Sequence, residues 1–275
     1  MLAIPLEQIL WLVVTLTVAG AVTGFLAGLF GVGGGAIIVP ILYQVFTLLN
    51  VPDAVRMPLS IGTSLAVIVP TSIAAYRTHR AKGAVDQPIV RQWAVPCFLG
   101  VAAGSAIAAF APAWLFKVIF IATASTNGIL LLVGRREWKI TDQLPTFWPM
   151  RALGFGIGIF SSLMGISGGM LSNITLLLFG RTMQQAVATS AALGVVISIA
   201  GTMGYMAAGW PKMALLPPLS VGFVSLLGLA LLAPLGMVFA PFGARLAHQI
   251  SRRRLEIAFG LYLLLVSARF VLNLL

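Results

Sequence analysis

Two glycine clusters interrupt apolar segments of the chain, and each predicts a broken helix. In the first cluster, five glycines fall within residues 28–35, with apolar residues on both sides. Glycine costs about 1 kcal/mol relative to alanine in a helix interior, so three in succession favour a break. In the second cluster, residues 158–170, the Ser-Gly-Gly at 167–169 takes the place of the Gly-Gly-Gly at 33–35. The chain therefore divides into two halves, each with one broken segment.

Composition places these breaks in a membrane. The chain is 60% hydrophobic and only 8% charged, and apolar runs of about 20 residues recur along it, which is typical of a polytopic helical membrane protein. Inside lipid, a broken helix is tolerated only where its backbone is buried in protein or lines a polar cavity. The predicted membrane segments are residues 6–30, 36–49, 58–76, 93–110, 114–133, 152–166, 170–179, 186–208, 217–240 and 255–274.

Two of these segments are too short to span a bilayer. As helices, residues 36–49 would be about 21 Å long and residues 170–179 about 15 Å, against a hydrocarbon core of about 30 Å. Each directly follows a glycine cluster. Short, glycine-interrupted segments at matching places in two halves indicate the binding site of a transporter.

The basic residues predict an orientation. Arg181 and three loops that follow segments 58–76, 114–133 and 217–240 together hold 13 of the 17 basic residues. Cytoplasmic loops of membrane proteins are enriched in Lys and Arg, so these loops are placed inside and both termini outside. Arg56, Lys117, Lys212 and Arg269 are left outside. This topology also explains the net charge of +11 without a nucleic-acid partner, and none is expected.

The predicted fold is therefore an all-α polytopic membrane protein in a bacterial-type cytoplasmic membrane. Each half has five segments, including one short broken helix, and an odd number makes the second half enter from the opposite side. The two halves are then inverted-topology repeats. We expect one integral membrane domain with a first repeat at residues 1–133, a cytoplasmic linker at 134–150 and a second repeat at 151–275.

The sequence offers no catalytic or metal-binding apparatus at membrane depth. The six acidic residues all lie at segment ends or in loops, and His79 and His248 are also expected in loops. His79 and its basic neighbours are interpreted as a solvated loop near anionic lipid headgroups. The one cysteine, Cys97, suggests no metal cluster. We therefore expect neither an enzyme nor a bound cofactor or metal.

The neutral polar groups around the breaks are the candidate substrate-binding residues. Glycines at a helix start leave backbone donors and a partial positive charge, which suit an oxyanion. A nucleotide-binding loop is excluded because no Lys-Ser/Thr pair follows Gly35. The predicted site comprises Gly33, Gly34, Gly35, Thr63, Ser64, Ser167, Gly168, Gly169, Ser172, Asn173, Thr189 and Ser190.

Structural roles are open for the same residue types. Any single Ser or Thr can serve as a helix–helix hydrogen bond worth roughly 0.6 kcal/mol. The spacings Gly24-xxx-Gly28 and Gly100-xxx-Gly104 favour close helix packing instead of a site. A coupling ion, proton or sodium, is left open, since backbone carbonyls at a broken helix can hold sodium without a carboxylate. The oligomeric state is also open.

Several of these motifs resemble the sulfite exporter TauE/SafE family of membrane permeases. The resemblance covers roughly residues 24–260 and rests on motifs in both halves. They are GVGGG at 31–35 with VP at 39–40, GTSL at 62–65, PTS at 70–72, YRTHRAKGAVD at 76–86, ATS at 188–190 and GTMGY at 201–205.

The resemblance implies a secondary transporter that moves small sulfur-containing anions, such as sulfite, sulfoacetate or related organosulfur compounds, and commonly exports them. A channel-like anion pore, or a permease for another small organic anion, is the alternative. The second cluster departs from the family pattern: Ser167 stands where the family usually has glycine, and Ser172-Asn173 stand in a usually apolar stretch. We expect these departures to bear on substrate choice.

Overall fold

The computed structural model describes residues 6–30, 34–134 and 147–273. Gly33 and most of the predicted linker therefore lie outside the described residues. Ten helices are found in the described part: α1 Leu6–Phe30, α2 Gly35–Leu48, α3 Asp53–Ala81, α4 Gln87–Phe110, α5 Ala113–Val133, α6 Phe147–Met164, α7 Gly169–Leu178, α8 Met183–Gly209, α9 Leu226–Gln249 and α10 Arg252–Leu272. A 3-10 turn (Trp210–Leu215) and two short strands, β1 Ser220–Val221 and β2 Val224–Ser225, connect α8 to α9.

This architecture confirms an all-α polytopic membrane protein. Seven of the described helices are long and apolar enough to cross a membrane, while α2 and α7 are short apolar helices of 14 and 10 residues. Both short helices begin at the glycine clusters. Gly34 (φ 79°) precedes α2 and Gly168 (φ 73°) precedes α7, a left-handed conformation that other residues rarely adopt. The chain thus breaks at the two predicted places.

The helices of each half pack mainly against helices of the other half. Helix α1 of the first half lies along α9 of the second, and α6 of the second half lies along α4 of the first. Helices α3 and α8 pair at the centre, and α5 pairs with α10. Suppose that each helix of the first half corresponds to the helix five places later in the chain. The α1–α9 pair then corresponds to the α6–α4 pair, and the α3–α8 and α5–α10 pairs each correspond to themselves. The inverted direction of the repeats stays a prediction.

Glycines bring these helices close together, as the small-xxx-small spacing predicts. A methyl group added at Gly24 would come within 2.6 Å of the Gly236 Cα, and one at Gly28 would overlap the Ala240 carbonyl. On α4, Gly100 lies equally close to the Phe155 carbonyl of α6. These glycines are packing residues, whatever else they line.

Helix α3 and the start of α9 differ from the predicted segments. Helix α3 has 29 residues, about 43 Å, and continues past the hydrocarbon core into the polar sequence that follows Tyr76. The expectation that His79 lies in a loop is therefore wrong, because His79 is in the last turn of α3. His248 likewise falls within α9.

The segment expected as the start of α9 is a buried hairpin. Ser220 pairs with Ser225 and Val221 with Val224 in an antiparallel register. Phe223 and Val224 are fully buried, and the Phe223 N–H donates to the Tyr205 carbonyl at 3.0 Å. The Phe223 carbonyl lies so close to Gly62 that a side chain there would overlap it. The hairpin therefore fills the space between α3 and α8 near the N-terminal end of α3.

Candidate functional site

The two glycine breaks lie against each other at the centre of the protein. A methyl group added at Gly35 would come within 2.6 Å of the Gly165 carbonyl oxygen and 2.7 Å of the Ile166 Cα. One added at Gly165 would come within 2.7 Å of Val39 on α2. The N-terminal ends of α2 and α7 are thus brought to one place.

Both helix starts carry amides without an acceptor in their own helix. At α2, the N–H groups of Ile37 and Ile38 both point to the Gly34 carbonyl, so the two preceding amides have no intrahelical partner. At α7, the Ser172 N–H donates to the Gly168 carbonyl at 2.8 Å, so the three preceding amides also have no intrahelical partner. The residue before each helix is glycine, which has no side chain to accept from them. Each start carries about half a positive charge.

A cavity of about 300 Å³ adjoins these helix starts. It extends from Gly34 and Ser167 along α3 to His79, at the end of α3 that carries Arg77 and Arg80. The cavity is lined by Thr23, Gly24, Ala27, Gly28, Gly34, Ile38, Val67, Thr71, Ser72, Ala75, His79, Ser167, Gly169, Asn173, Val187, Ser190, Ala191, Leu232, Ala233, Gly236 and Ala240.

Five of the predicted site residues line this cavity: Gly34, Ser167, Gly169, Asn173 and Ser190. The Asn173 Oδ1 is buried and has no hydrogen-bond partner within the described part of the chain. Because an amide can be flipped to exchange its oxygen and nitrogen, this side chain can present a donor or an acceptor to a ligand. Ser190 instead donates to the Val187 carbonyl of its own helix at 3.0 Å.

Gly194 explains how the serines of two segments come together in the cavity wall. A methyl group added at this position of α8 would lie 3.2 Å from the Ser72 Oγ and 3.2 Å from the Ser167 Cβ. Ser72 on α3 and Ser167 in the second break therefore both pack against Gly194. The bare backbone of Gly194 leaves room for both.

The other predicted residues that the structure describes lie outside the cavity lining, and most of them make structural contacts. Ser64 donates to the Gly165 carbonyl at 2.8 Å, and Ser172 is fully buried, its Oγ unpartnered in the described part of the chain. Gly168 faces Ile197, and Gly35 contacts the second break. Gly33 is outside the described residues.

Thr63 and Thr189 form a matched pair of contacts between the halves. Thr63 Oγ1 on α3 accepts a hydrogen bond of 2.9 Å from the Ser225 N–H, at the residue before α9. Thr189 Oγ1 on α8 accepts one of 3.0 Å from the Asp86 N–H, at the residue before α4. Both threonines are fully buried. Each therefore holds the start of a helix that belongs to the other half.

The sequence-based prediction omitted several lining residues, among them Thr23, Ser72 and His79. The signal for part of this face was present, because Val67, Thr71, Ala75 and His79 follow one another at the four-residue spacing of a helix face. It was missed because the predicted segment ended at residue 76, three residues before His79.

The described residues of this cavity include no candidate metal site. No group of three or more His, Cys, Asp or Glu that could hold a metal ion is found among them. Asp53, at the opposite end of α3, is engaged by Lys117 at 3.1 Å, and Asp86 by Arg181 at 3.2 Å. The described lining therefore offers hydroxyls, one side-chain amide and one imidazole among mostly apolar residues, and it adjoins the starts of α2 and α7.

Comparison with known proteins agrees with this architecture. The chain is 28% identical over 256 residues to a probable membrane transporter protein of Haemophilus influenzae, covering 92% of this chain and 96% of the relative. It is 27% identical over 274 residues to one of Methanocaldococcus jannaschii, covering 96% and 100%. A third relative, from Bacillus subtilis, is 28% identical over 219 residues, or 71% and 79% of the two chains. No solved structure gives a significant match.

The relatives and the family model agree on the class of protein. All three relatives are named as probable membrane transporters. Two of them come from bacteria, which is consistent with the predicted location in a bacterial-type cytoplasmic membrane. The protein is a multi-pass membrane transporter and not an enzyme. The model of the family described as sulfite exporter TauE/SafE matches residues 16–270. The chain therefore belongs to the sulfite exporter TauE/SafE family.

Proposed function

We propose that this transporter exports a small sulfur-containing anion, such as sulfite, sulfoacetate or a related organosulfur compound, and binds it in the cavity beside the two glycine breaks. The observation that carries the proposal is the meeting of two uncapped helix starts, at Gly34 and Gly168, next to a cavity whose wall includes several hydroxyls and the Asn173 amide. Unpartnered amides and the aligned peptide dipoles favour an anion at such a place. The sulfur chemistry of the ligand rests on the family.

The carbonyl groups at the second break argue against a cation there. The Ser161 carbonyl accepts from Ile166 N–H at 3.1 Å, the Ser162 carbonyl from the Tyr205 hydroxyl at 2.9 Å, and the Gly165 carbonyl from Ser64. Three carbonyl oxygen atoms at the second break thus each accept a hydrogen bond, which leaves fewer lone pairs there for a cation. The donors of α7, in contrast, have no partner within their helix.

The shape of the cavity supports a transporter that opens to one side of the membrane at a time. Its lining reaches the end of α3 that carries Arg77, Arg80 and Lys82, which the charge bias places in the cytoplasm. Toward the other end of α3, the buried hairpin around Phe223 fills the space between α3 and α8. A site that is open at one end and closed at the other suits alternating access and disfavours a continuous pore.

Binding and flux measurements on the purified protein test the proposal. We expect saturable binding of labelled sulfite or of a simple sulfonate, and loss of one side-chain donor should weaken it by about 5- to 150-fold, or about 1–3 kcal/mol. Asn173→Ala removes the side chain whose amide oxygen is unpartnered and should show this loss. Leu132→Ala, on α5 away from the cavity, is the control. Unchanged binding by a folded Asn173→Ala variant would contradict the proposed location of the binding site.

Flux through proteoliposomes separates the competing functions. We expect transport that saturates with the concentration of sulfite or sulfonate and is inhibited by the other anion. Conductance that rises without saturation would identify a pore instead. Saturable transport of small carboxylates, with no response to sulfite or sulfonate, would identify a permease for another organic anion.

A further inference from the structure

His79 is the titratable side chain of the cavity wall. It is half-buried in the last turn of α3 and lies on the same helix face as Thr71 and Ala75, which also line the cavity. The other described lining residues are glycines, hydroxyl residues, one asparagine and apolar residues, contributed by α1, α2, α3, α7, α8, α9 and the two breaks. Within the described lining, a full charge can therefore arise only on the His79 imidazole.

A neutral cavity binds an anion at a cost. Taking an anion out of water is unfavourable unless charge or hydrogen bonds compensate for the lost solvation. The helix starts at Gly34 and Gly168 provide partial positive charge, about half a unit each, at one end of the cavity. A protonated imidazole at the other end would add a full unit. Histidine is the side chain whose charge changes between about pH 5 and pH 8.

The charged groups near this end of the cavity leave the imidazole available to a ligand. Arg77 and Arg80 on α3 and Lys82 just after it are exposed, and the Arg80 guanidinium lies 5.9 Å from the Tyr76 ring. The loop after α3 brings Asp86, which is paired with Arg181 of the segment between α7 and α8 at 3.2 Å. On α9, exposed Arg245 lies beside Phe242. No carboxylate lines the described cavity, so an anion there would be the partner of a protonated His79.

We propose that protonation of His79, at the cytoplasmic end of the cavity, raises the affinity of the cavity for the anion bound beside the glycine breaks, so that affinity rises as pH falls. The inference rests on the proposed function and adds to it one residue and one direction of pH dependence. By linkage, a bound anion favours protonation of His79 to the same extent that the proton favours the anion. Anion binding should therefore be accompanied by uptake of protons from the buffer.

Equilibrium binding at two pH values tests the inference. The probe is ethanesulfonate, because a sulfonate keeps its single negative charge over this range whereas sulfite changes charge near neutral pH. We expect the wild type to bind ethanesulfonate roughly tenfold more tightly at about pH 5.5 than at about pH 8. This change is the tenfold coupling between binding of the proton and binding of the anion. Calorimetry in buffers of different ionisation enthalpy should show proton uptake on binding.

Two substitutions separate charge from shape. His79→Gln is neutral at both pH values and should bind at both with the weaker affinity and without proton uptake. His79→Lys is charged at both and should lose the pH dependence while keeping the tighter affinity. Arg80→Gln, one residue along on the exposed face, is the control and should keep the wild-type pH dependence. Size-exclusion profiles and unfolding temperatures verify that the variants are folded.

The outcomes distinguish this inference from the function on which it rests. If the wild type binds neither ethanesulfonate nor sulfite at either pH, the proposed function fails and the inference with it. If binding is present but unchanged between the two pH values, only the role of His79 is overturned. Wild-type pH dependence retained in His79→Gln overturns it as well, because another group then carries the proton.

Discussion

The hydroxyl of Ser64 donates a hydrogen bond of 2.8 Å to the carbonyl oxygen of Gly165, across 101 positions of sequence. Ser64 lies on α3 of the first half, and Gly165 lies in the break of the second half, where its φ is 70°. Both Ser64 and the surrounding backbone are buried, so no water replaces a lost donor. This bond fixes the second break relative to α3, which forms one wall of the cavity.

Replacing Ser64 should therefore weaken both stability and binding. Ser64→Ala leaves the Gly165 carbonyl without its donor, which we expect to lower the free energy of unfolding by about 1–3 kcal/mol. Ser60→Ala is a matched control, because Ser60 is equally buried on the same helix but donates to the Arg56 carbonyl of its own backbone at 2.8 Å. Unfolding in detergent and sulfonate binding measure both effects. Equal losses in the two variants would contradict a special role for the Ser64 bond.

The threonine pair should contribute to stability from both halves. Thr63→Val and Thr189→Val keep the side-chain shape but orphan the N–H of Ser225 or Asp86, so each should destabilise the protein by about 1–3 kcal/mol. Thr202→Val, on α8, removes a hydroxyl that donates to the Ser198 carbonyl of its own helix at 2.7 Å and should cost less. Thermal unfolding of the three variants provides the measurement. Restored stability in Thr63→Ser and Thr189→Ser would attribute the loss to the hydrogen bond, and a loss as large in Thr202→Val would argue against it.

Sequence periodicity and glycine placement predicted most of the fold. Apolar length and the glycine clusters located both short helices to within one residue at each end, since lipid permits few alternatives to a helix. The buried hairpin at 220–225 was missed because its residues are as apolar as a helix start, and its pairing depends on Phe223 contacting α3 and α8. The end of α3 was missed because hydropathy reports the bilayer boundary, while a helix can continue beyond it.

The site was harder to predict than the fold. The glycine breaks indicated where backbone donors lie, but which hydroxyls face the cavity depends on how α3 and α8 are rotated against each other. Thr63 and Thr189 sit one residue from Ser64 and Ser190, yet they point at helix starts of the other half. His79 was hidden by an incorrect helix end. Partner choice across 100 or more residues is a property of packing, and one sequence does not encode it as a local pattern.

A buried lysine gives a prediction outside the cavity. Lys117, which the charge count placed on the outer side, is only 4% exposed, and its Nζ lies 3.1 and 3.2 Å from the two Asp53 carboxylate oxygens. Asp53→Ala should therefore leave a buried charge unpaired. Because the Asp53 side chain is 53% exposed, water offsets part of this, and we expect a loss of about 1–3 kcal/mol.

A double-mutant cycle checks this pair. Lys117→Met removes the charge and keeps an apolar side chain of similar length, so Asp53→Ala should cost much less in the Lys117→Met background than alone. Unfolding temperatures of the two single variants and the double variant give the coupling energy. Strict additivity would show that the two side chains contribute independently.

The contact between the two glycine breaks gives the sharpest prediction about transport. Gly35→Ala would bring a methyl group within 2.6 Å of the Gly165 carbonyl oxygen and 2.7 Å of the Ile166 Cα, and both are backbone atoms that cannot rotate away. The breaks must then separate, which displaces the helix starts that are proposed to hold the anion. Gly156→Ala is the matched control, because a methyl group at this position of α6 meets nothing within 4 Å.

We therefore expect Gly35→Ala to lose most sulfonate binding and transport while Gly156→Ala keeps both. In the helix interior, Gly156→Ala should raise the free energy of unfolding by about 0.5–1 kcal/mol. Proteoliposome flux and equilibrium binding, each normalised to folded protein, make the comparison. Full binding by a folded Gly35→Ala variant would mean that the anion does not depend on the alignment of α2 with the second break, and the site would have to be sought elsewhere in the cavity.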